Sequence, residues 1–346
     1  MSAFPIPAAF LSPQELRSAL PLSFLQREFL QQTQEEIKNI FEKKDPRMLL
    51  IVGPCSLHDE KAFWEYAVWL KKLSLTLKHF LPVIRCFYEK PRTYNSWKGF
   101  LSDPFLDGSF QMETGLKKTR KLMLDLIDLK LPLASELLNP FSVPYFQDLI
   151  SYGTIGARTC ASQIHRQIAS FVPFPIGFKN PLSGDLETAL NSALTARETQ
   201  AFLYLGQDGR ITQVKSPGNP WAHLVLRGSW KSPNYSQAPA LSSRLQAEDQ
   251  LLPLIIDCAH GNSGKTAAGQ KEAFRSLILK TKTEGSFFSG LMLESFLKTG
   301  RQAFRSPPSR YGVSITDPCL GCEETSGLLS WAESTLSSVS LSMSIR

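Results

Sequence analysis

Met48-Leu49-Leu50-Ile51-Val52 runs without a polar break into Gly53-Pro54-Cys55. Consecutive apolar residues without alternation describe a strand covered on both faces. Gly-Pro ends it, and a sulfur follows at once. The same pattern recurs along the chain. Residues 82–84 lead to Arg85, in a strand read as continuing to Lys90. Residues 131–135 lead to Glu136, 154–157 to Arg158, 174–178 to Lys179, and 223–226 to Arg227. Residues 252–256 lead to Asp257 and His260, and 290–293 to Glu294. Between several of these runs the apolar positions fall at helical spacing. Phe63, Tyr66, Ala67, Leu70 and Leu73 form one such set, and Leu116, Leu122, Met123, Leu126 and Leu129 another; 142–150 and 246–249 are shorter stretches. Parallel neighbours need crossover connections, so strand–helix alternation implies a parallel sheet. Eight units suggest an α/β protein closed as a (β/α)8 TIM barrel.

Two pieces lie outside this pattern. Residues 1–46 read as an N-terminal extension with a helix at 25–42, a candidate regulatory or oligomer-forming segment. Residues 47–346 read as the catalytic barrel, with a hairpin inserted at about 201–214 and turned by Gln207-Asp208-Gly209. Residues 232–243 read as a polar loop. The chain after Gly327 reads as a terminal helix with a fraying, serine-rich end.

Composition narrows the class. With 42% hydrophobic and 20% charged residues among 346, the chain can bury a large core and is not intrinsically disordered. No apolar run approaches the ~18 residues of a membrane helix; the richest begins at Leu251 and ends before Asp257. The apolar start, residues 1–11, lacks a basic n-region and is broken by Pro5 and Pro7, so it is not read as an export signal. A cytoplasmic chain with reduced thiols is expected. The net charge of +7 is spread along the sequence, without the single cationic stripe and interleaved aromatics that nucleic acid requires. It suits small anionic substrates if the cations converge in space. No G-x-G-x-x-G or Walker A motif occurs, so no nucleotide cofactor is expected. Cys319-Leu320-Gly321-Cys322 has no second cysteine pair at zinc-finger spacing. It is read as not opening a helix after a thioredoxin-like strand, and its ordinary reading is local packing.

In a (β/α)8 barrel the active site sits where strands end. Cations repeated at those ends repel one another unless anions lie between them, and Arg holds phosphate and carboxylate through paired hydrogen bonds. Cys55, His260, Glu294 and Asp317 add one thiolate, one imidazole and two carboxylates. That mixed set suits one divalent ion such as Zn, Fe, Co or Mn. Asp257, three residues before His260, reads as a supporting group.

The motifs also resemble a known family. Gly53-Pro54-Cys55-Ser56-Leu57-His58-Asp59 and Glu89-Lys90-Pro91-Arg92-Thr93, followed by Trp97-Lys98-Gly99, are similar to segments of class I 3-deoxy-D-arabino-heptulosonate 7-phosphate (DAHP) synthases. So are Gly156-Ala157-Arg158-Thr159, Gly177-Phe178-Lys179-Asn180, Leu226-Arg227-Gly228, Pro233-Asn234-Tyr235, His260-Gly261-Asn262-Ser263, Glu294-Ser295 and Ser314-Ile315-Thr316-Asp317. The resemblance implies a metal-dependent condensation of phosphoenolpyruvate with erythrose 4-phosphate, entering the shikimate route to aromatic amino acids. It puts the metal on Cys55, His260, Glu294 and Asp317. It puts phosphoenolpyruvate on Arg85, Lys90, Lys98, Glu136, Arg158, Lys179 and Arg227, with Arg158 and Lys179 at its phosphate. Arg92 and Thr93 would take the sugar phosphate, and Lys90 would donate the proton. A homo-oligomer, dimer or tetramer, is also implied.

Some neighbours depart from the family pattern: Pro181, Asn139 and Cys258-Ala259. Pro173 and Tyr204 are bulky where the family's aromatic amino-acid inhibitor site would need room. The nearest alternative is 3-deoxy-D-manno-octulosonate 8-phosphate synthase, which carries lysine-alanine-asparagine-arginine where this chain has Lys90-Pro91-Arg92-Thr93. A catalytically inactive regulatory barrel is the alternative from another class.

Overall fold

A computed structural model describes residues 10–343 apart from 94–95, 249–251, 305–307 and 309. Most of the apolar start, Leu251, the end of the helix read at 246–249 and the last serine-rich residues lie outside the described residues.

The strands are β1 (Met48–Gly53), β2 (Phe80–Arg85), β3 (Leu133–Glu136), β4 (Tyr152–Ile155), β5 (Ile176–Lys179), β6 (Gln200–Leu205), β7 (Ile211–Ser216), β8 (Ala222–Leu226), β9 (Leu254–Asp257) and β10 (Gly290–Glu294). Eight of them close a barrel in the order β1-β10-β9-β8-β5-β4-β3-β2, all pairs parallel. The two left over, β6 and β7, pair antiparallel as the inserted hairpin, with Gly209 at φ +82° in its turn. The (β/α)8 reading therefore holds.

Helices α1 (Pro13–Ala19) and α2 (Phe24–Phe41) precede the barrel. The crossovers carry α3 (Glu60–Ser74), α4 (Met112–Asp128), α5 (Val143–Phe146), α6 (Gln163–Phe171), α7 (Leu186–Arg197), α8 (Ala238–Ala247) and α9 (Ala267–Glu284), and α10 (Cys322–Met343) follows β10.

Four local readings need correction. The second strand stops at Arg85 rather than continuing to Lys90. Residues beyond it find other partners: Leu57 N–H donates to Phe87 O at 3.0 Å, and Lys90 N–H to Lys98 O at 2.8 Å. Helix α8 occupies much of the segment read as a polar loop. Its Pro239 sits in the first turn, where a missing N–H costs nothing. Helix α1 was not read, although Ser12 and Glu15 form a reciprocal capping box around Pro13. Cys322 does open a helix, α10. Even so, both thiols donate to main-chain carbonyls, Cys319 to Asp317 and Cys322 to Phe296. Burial pushes the Cys322 thiol up to about 12 and Cys319 well above its ordinary value, opposite to what redox chemistry or ligation needs.

The N-terminal extension is part of the core. Ile37, Ile40 and Phe41, one face of the end of α2, pack with Leu49, Ile51, Leu81, Val83, Tyr152, Val225 and Ile255. These side chains close the barrel at the end where strands begin, so a polar site can form only at the other end. The hairpin packs its inner face onto α6, with Phe202 and Tyr204 edge-on to Phe171, and Tyr204 Oη donates to Gln147 Oε1 at 3.0 Å. The bulk noted at Tyr204 is thus absorbed by an aromatic cluster.

Candidate active site

The mouth at the strand ends opens into a cavity of about 750 Å³. Lys90, Arg92, Thr93, Glu136, Arg158, Lys179, Arg227, His260 and Asp317 line it. Cys55, Arg85 and Glu294 lie buried outside that lining, and Lys98 is exposed and also outside it. Lys98 contributes its carbonyl, which anchors the Lys90 backbone.

Strand periodicity places these side chains. Residues two apart on a strand share a face. Val83, Val225, Ile255 and Met292 fill the barrel, and two residues on stand Arg85, Arg227, Asp257 and Glu294. Arg85 is fully buried and held by three groups: Glu294 Oε1 at 3.0 Å, Met292 Sδ at 2.9 Å and Pro54 O at 3.3 Å. Lys179 Nζ donates to Asp257 Oδ2 at 2.9 Å and lies 3.5 Å from Met292 Sδ. His260 Nδ1 meets the same Asp257 oxygen at 2.9 Å, and its Nε2 lies 3.5 Å from Glu294 Oε1. Arg85, Glu294, His260, Asp257, Lys179 and Met292 thus form a closed cycle of contacts.

Cys55, Glu294 and Asp317 each present a ligand atom within 4.8 Å of the others. His260 stands at the edge of this group and touches it through Glu294. The chemistry of the donors fits a divalent cation: one sulfur, two carboxylates and an imidazole whose Nδ1 is already engaged. Burial, with Glu294 adding, pushes the Cys55 thiol up to about 11, so without a cation it keeps its proton. Lys90 Nζ lies between this group and the cavity, 2.7 Å from Cys55 O and 3.3 Å from Cys55 Sγ. Burial alone would lower the Lys90 ammonium, yet Cys55, Glu294 and Glu136 together hold it above its usual value. Around the wall, Arg158 Nε donates to Thr93 Oγ1 at 3.3 Å, and Arg92 Nε to Trp97 O at 2.9 Å. Among the described residues the buried Glu136 Oε1 has no hydrogen-bond partner. It sits over Gly156, where a Cβ would come within 2.2 Å of that oxygen.

The sequence reading assigned no role to several groups that build this site. Asn180, Asn234 and Asn262, each inside a quoted motif, tie the strand ends together. Asn180 Oδ1 accepts from Arg227 N at 2.9 Å, Asn234 Oδ1 from Gly228 N at 2.8 Å, and Asn262 Nδ2 donates to Asp257 O at 2.9 Å. His260 adopts φ +55°, a strained backbone of the kind that recurs at functional sites, and its carbonyl accepts from Ser263 Oγ at 3.1 Å and Lys265 N at 2.9 Å. Glu89, beside Lys90, is pushed up to about 7 by burial, with Glu136 adding, even though Ser142 Oγ donates to its Oε2 at 2.7 Å. Amides at strand ends were the available signal; Glu89 gave none, because its effect depends on burial.

The comparisons give the family. Residues 28–330 match the family described as the DAHP synthetase I family. The tyrosine-sensitive phospho-2-dehydro-3-deoxyheptonate aldolase of Escherichia coli (strain K12) is 41% identical over 324 residues, 92% of this chain and 91% of that relative. The chain belongs to the DAHP synthetase I family. The tyrosine-inhibited phospho-2-dehydro-3-deoxyheptonate aldolase of Schizosaccharomyces pombe is 38% identical over 332 residues, 94% of this chain and 88% of that one. A solved phospho-2-dehydro-3-deoxyheptonate aldolase from Francisella tularensis SCHU S4 superposes with a TM-score of 0.92 at 35% identity, over 96% of this chain and 98% of its own. As a DAHP synthase, the protein is a carbon–carbon bond-forming transferase of aromatic amino-acid biosynthesis, and the octulosonate and inactive-barrel alternatives are not favoured. Among the described residues no helix is long and apolar enough to cross a membrane.

Proposed function

We propose that the strand-end cavity condenses phosphoenolpyruvate with erythrose 4-phosphate and water, giving DAHP and phosphate, with one divalent cation held by Cys55, His260, Glu294 and Asp317. The observation that carries this reading is the position of Lys90. Its ammonium bridges the buried sulfur–carboxylate group and a cavity walled by cations. When bound, the cation supplies Lewis-acid polarisation of the aldehyde oxygen.

The chain's own groups do the rest. Arg158, Lys179 and Arg227 hold the phosphate and carboxylate of phosphoenolpyruvate, with Arg85 beneath them. Arg92 and Thr93 take the phosphate of the sugar. Holding two multiply charged anions together is the main entropic and electrostatic task. The enol carbon of phosphoenolpyruvate attacks the aldehyde carbon, and Lys90 gives a proton to the oxygen that becomes a hydroxyl. Water adds at the carbon that bears phosphate. We assign Glu136, whose Oε1 has no partner among the described residues, to orient this water and take its proton. Loss of phosphate then leaves the ketone. Lys98, exposed and away from the wall, acts through its carbonyl on Lys90.

Phosphate release from phosphoenolpyruvate tests the reading. Release with erythrose 4-phosphate and none with arabinose 5-phosphate, abolished by a chelator, is expected. Release with arabinose 5-phosphate alone would transfer the assignment to the octulosonate reaction. Assembly as a homo-oligomer is supported by the outer face of the hairpin, where Leu203 is 75% and Ile211 58% exposed; light scattering reads it directly. The six free cysteines support a cytoplasmic setting.

A further inference from the structure

We propose that Asp257 couples cation binding to phosphate binding by sharing a single carboxylate oxygen between His260 and Lys179. The inference rests on the site assignment above and adds a residue and a linkage to it. Asp257 Oδ2 faces His260 Nδ1 at 2.9 Å and Lys179 Nζ at 2.9 Å. Its other oxygen, Oδ1, already accepts from Ala259 N–H at 3.0 Å. The carboxylate therefore cannot turn to give each donor an oxygen of its own. Asp257 has no exposed surface, so bulk water does not stand in for either partner.

The two donors belong to different halves of the site. Holding a cation through His260 Nε2 requires the proton on Nδ1, and Asp257 fixes that tautomer. Lys179 lines the cavity as one of the cations for phosphate. A phosphate that engages Lys179 draws its ammonium from the shared oxygen. The oxygen then serves His260 alone, the Nδ1–H bond strengthens, and Nε2 becomes a better donor to the cation. Phosphate should therefore tighten the cation and, by thermodynamic reciprocity, the cation should tighten phosphate. Asp257 is a positioning residue here, since it acts through both neighbours.

The test uses calorimetry with Mn²⁺ and with phosphoenolpyruvate, each alone and in the presence of the other. The wild type should show tighter binding of each ligand by roughly fivefold or more when the other is present. Asp257→Asn should weaken Mn²⁺ by roughly 10–100-fold. It should leave phosphoenolpyruvate binding to the metal-free protein unchanged or tighter, because Lys179 is released. A purely structural role would weaken both ligands together, and that outcome overturns the proposal. So does a variant that keeps the wild-type coupling. A second measurement is made on the wild type, with Lys179→Gln as its control. The His260 Nδ1 proton of the metal-free wild type should move downfield in an NMR spectrum when phosphoenolpyruvate is added, and not in Lys179→Gln; a stationary resonance overturns the idea. Wild-type protein that binds neither Mn²⁺ nor phosphoenolpyruvate would instead sink the site assignment, an outcome distinct from binding both ligands independently.

Discussion

The two ends of the barrel hold opposite solutions to one packing problem. Where the strands begin, Ile37, Ile40 and Phe41 of α2 meet Leu49, Ile51, Leu81 and Val83, and the interior is apolar. Where they end, the same inward-facing rows carry Arg85, Lys179, Asp257 and Glu294, all buried and mutually paired. One step of the two-residue repeat separates Ile255 from Asp257 and Met292 from Glu294. The first end contributes stability through buried area. The second holds charges whose desolvation offsets much of their attraction. The fold thus places its stability at one end and its chemistry at the other.

If that division is right, the largest effect should come from a substitution that spares the fold. Lys90→Ala should reduce turnover by roughly 10²–10⁴-fold, with metal content and melting temperature near those of the wild type. Near-normal turnover would remove Lys90 from its role. Next in size is a test of the buried charges. Arg85→Met strands Glu294 without its 3.0 Å partner and should cost about 3–5 kcal/mol of stability, measured by denaturant unfolding. The double variant Arg85→Met, Glu294→Leu should recover most of that loss while staying inactive. If the double variant is as unstable as the single one, the mouth is a source of stability after all, and the comparison breaks.

The contrast also explains what could be read from the sequence. An unbroken apolar run ending in a charge is a local pattern, so all eight barrel strands were legible, although the second was read too long. Helices α1 and α8 were not, although the Ser12–Glu15 box was a usable signal and Pro239 reads as easily as a loop residue as a first-turn one. The convergence of Cys55, Glu294 and Asp317 could not be read from spacing, because they come from distant segments; donor chemistry and the resemblance grouped them. That Arg85 would be spent on Glu294, that Lys98 would act through its carbonyl, and that Asp257 would serve two partners are consequences of depth in the barrel. Depth is a tertiary property. The plug formed by α2 was missed for the same reason: its apolar spacing shows a buried face but not which surface covers it.

At the strand-start end the expected effects are on stability alone. Ile37→Ala removes a fully buried plug side chain and should cost about 2–5 kcal/mol. Steady-state constants measured well below the new melting temperature should stay close to those of the wild type. A large loss of turnover in the folded variant would mean that the plug also shapes the mouth.

The smallest effect concerns a histidine in this apolar end whose charge is suppressed. His223 lies at the start of β8, 4.7 Å ring to ring from Phe41. Its Nδ1 meets Trp221 O at 2.8 Å and its Nε2 meets Tyr152 Oη at 2.8 Å. A carbonyl accepts only, so Nδ1 carries the proton, and Nε2 accepts from the tyrosine. Burial pushes the ring down to about 3, overcoming the Trp221 carbonyl. As pH falls, the unfolded chain therefore takes up this proton first, near ~6.5, while the folded chain resists. The stability that His223 contributes is complete above that pH and is lost progressively as pH falls toward the folded value. The loss should approach about 2 kcal/mol by pH 5. His223→Gln removes the titration, so its unfolding free energy, lower at pH 7, should fall less steeply between pH 7 and 5 than that of the wild type. Parallel slopes would mean that a proton reaches the ring in the folded state, and that this end of the barrel is wetter than the packing of Phe41 against it allows.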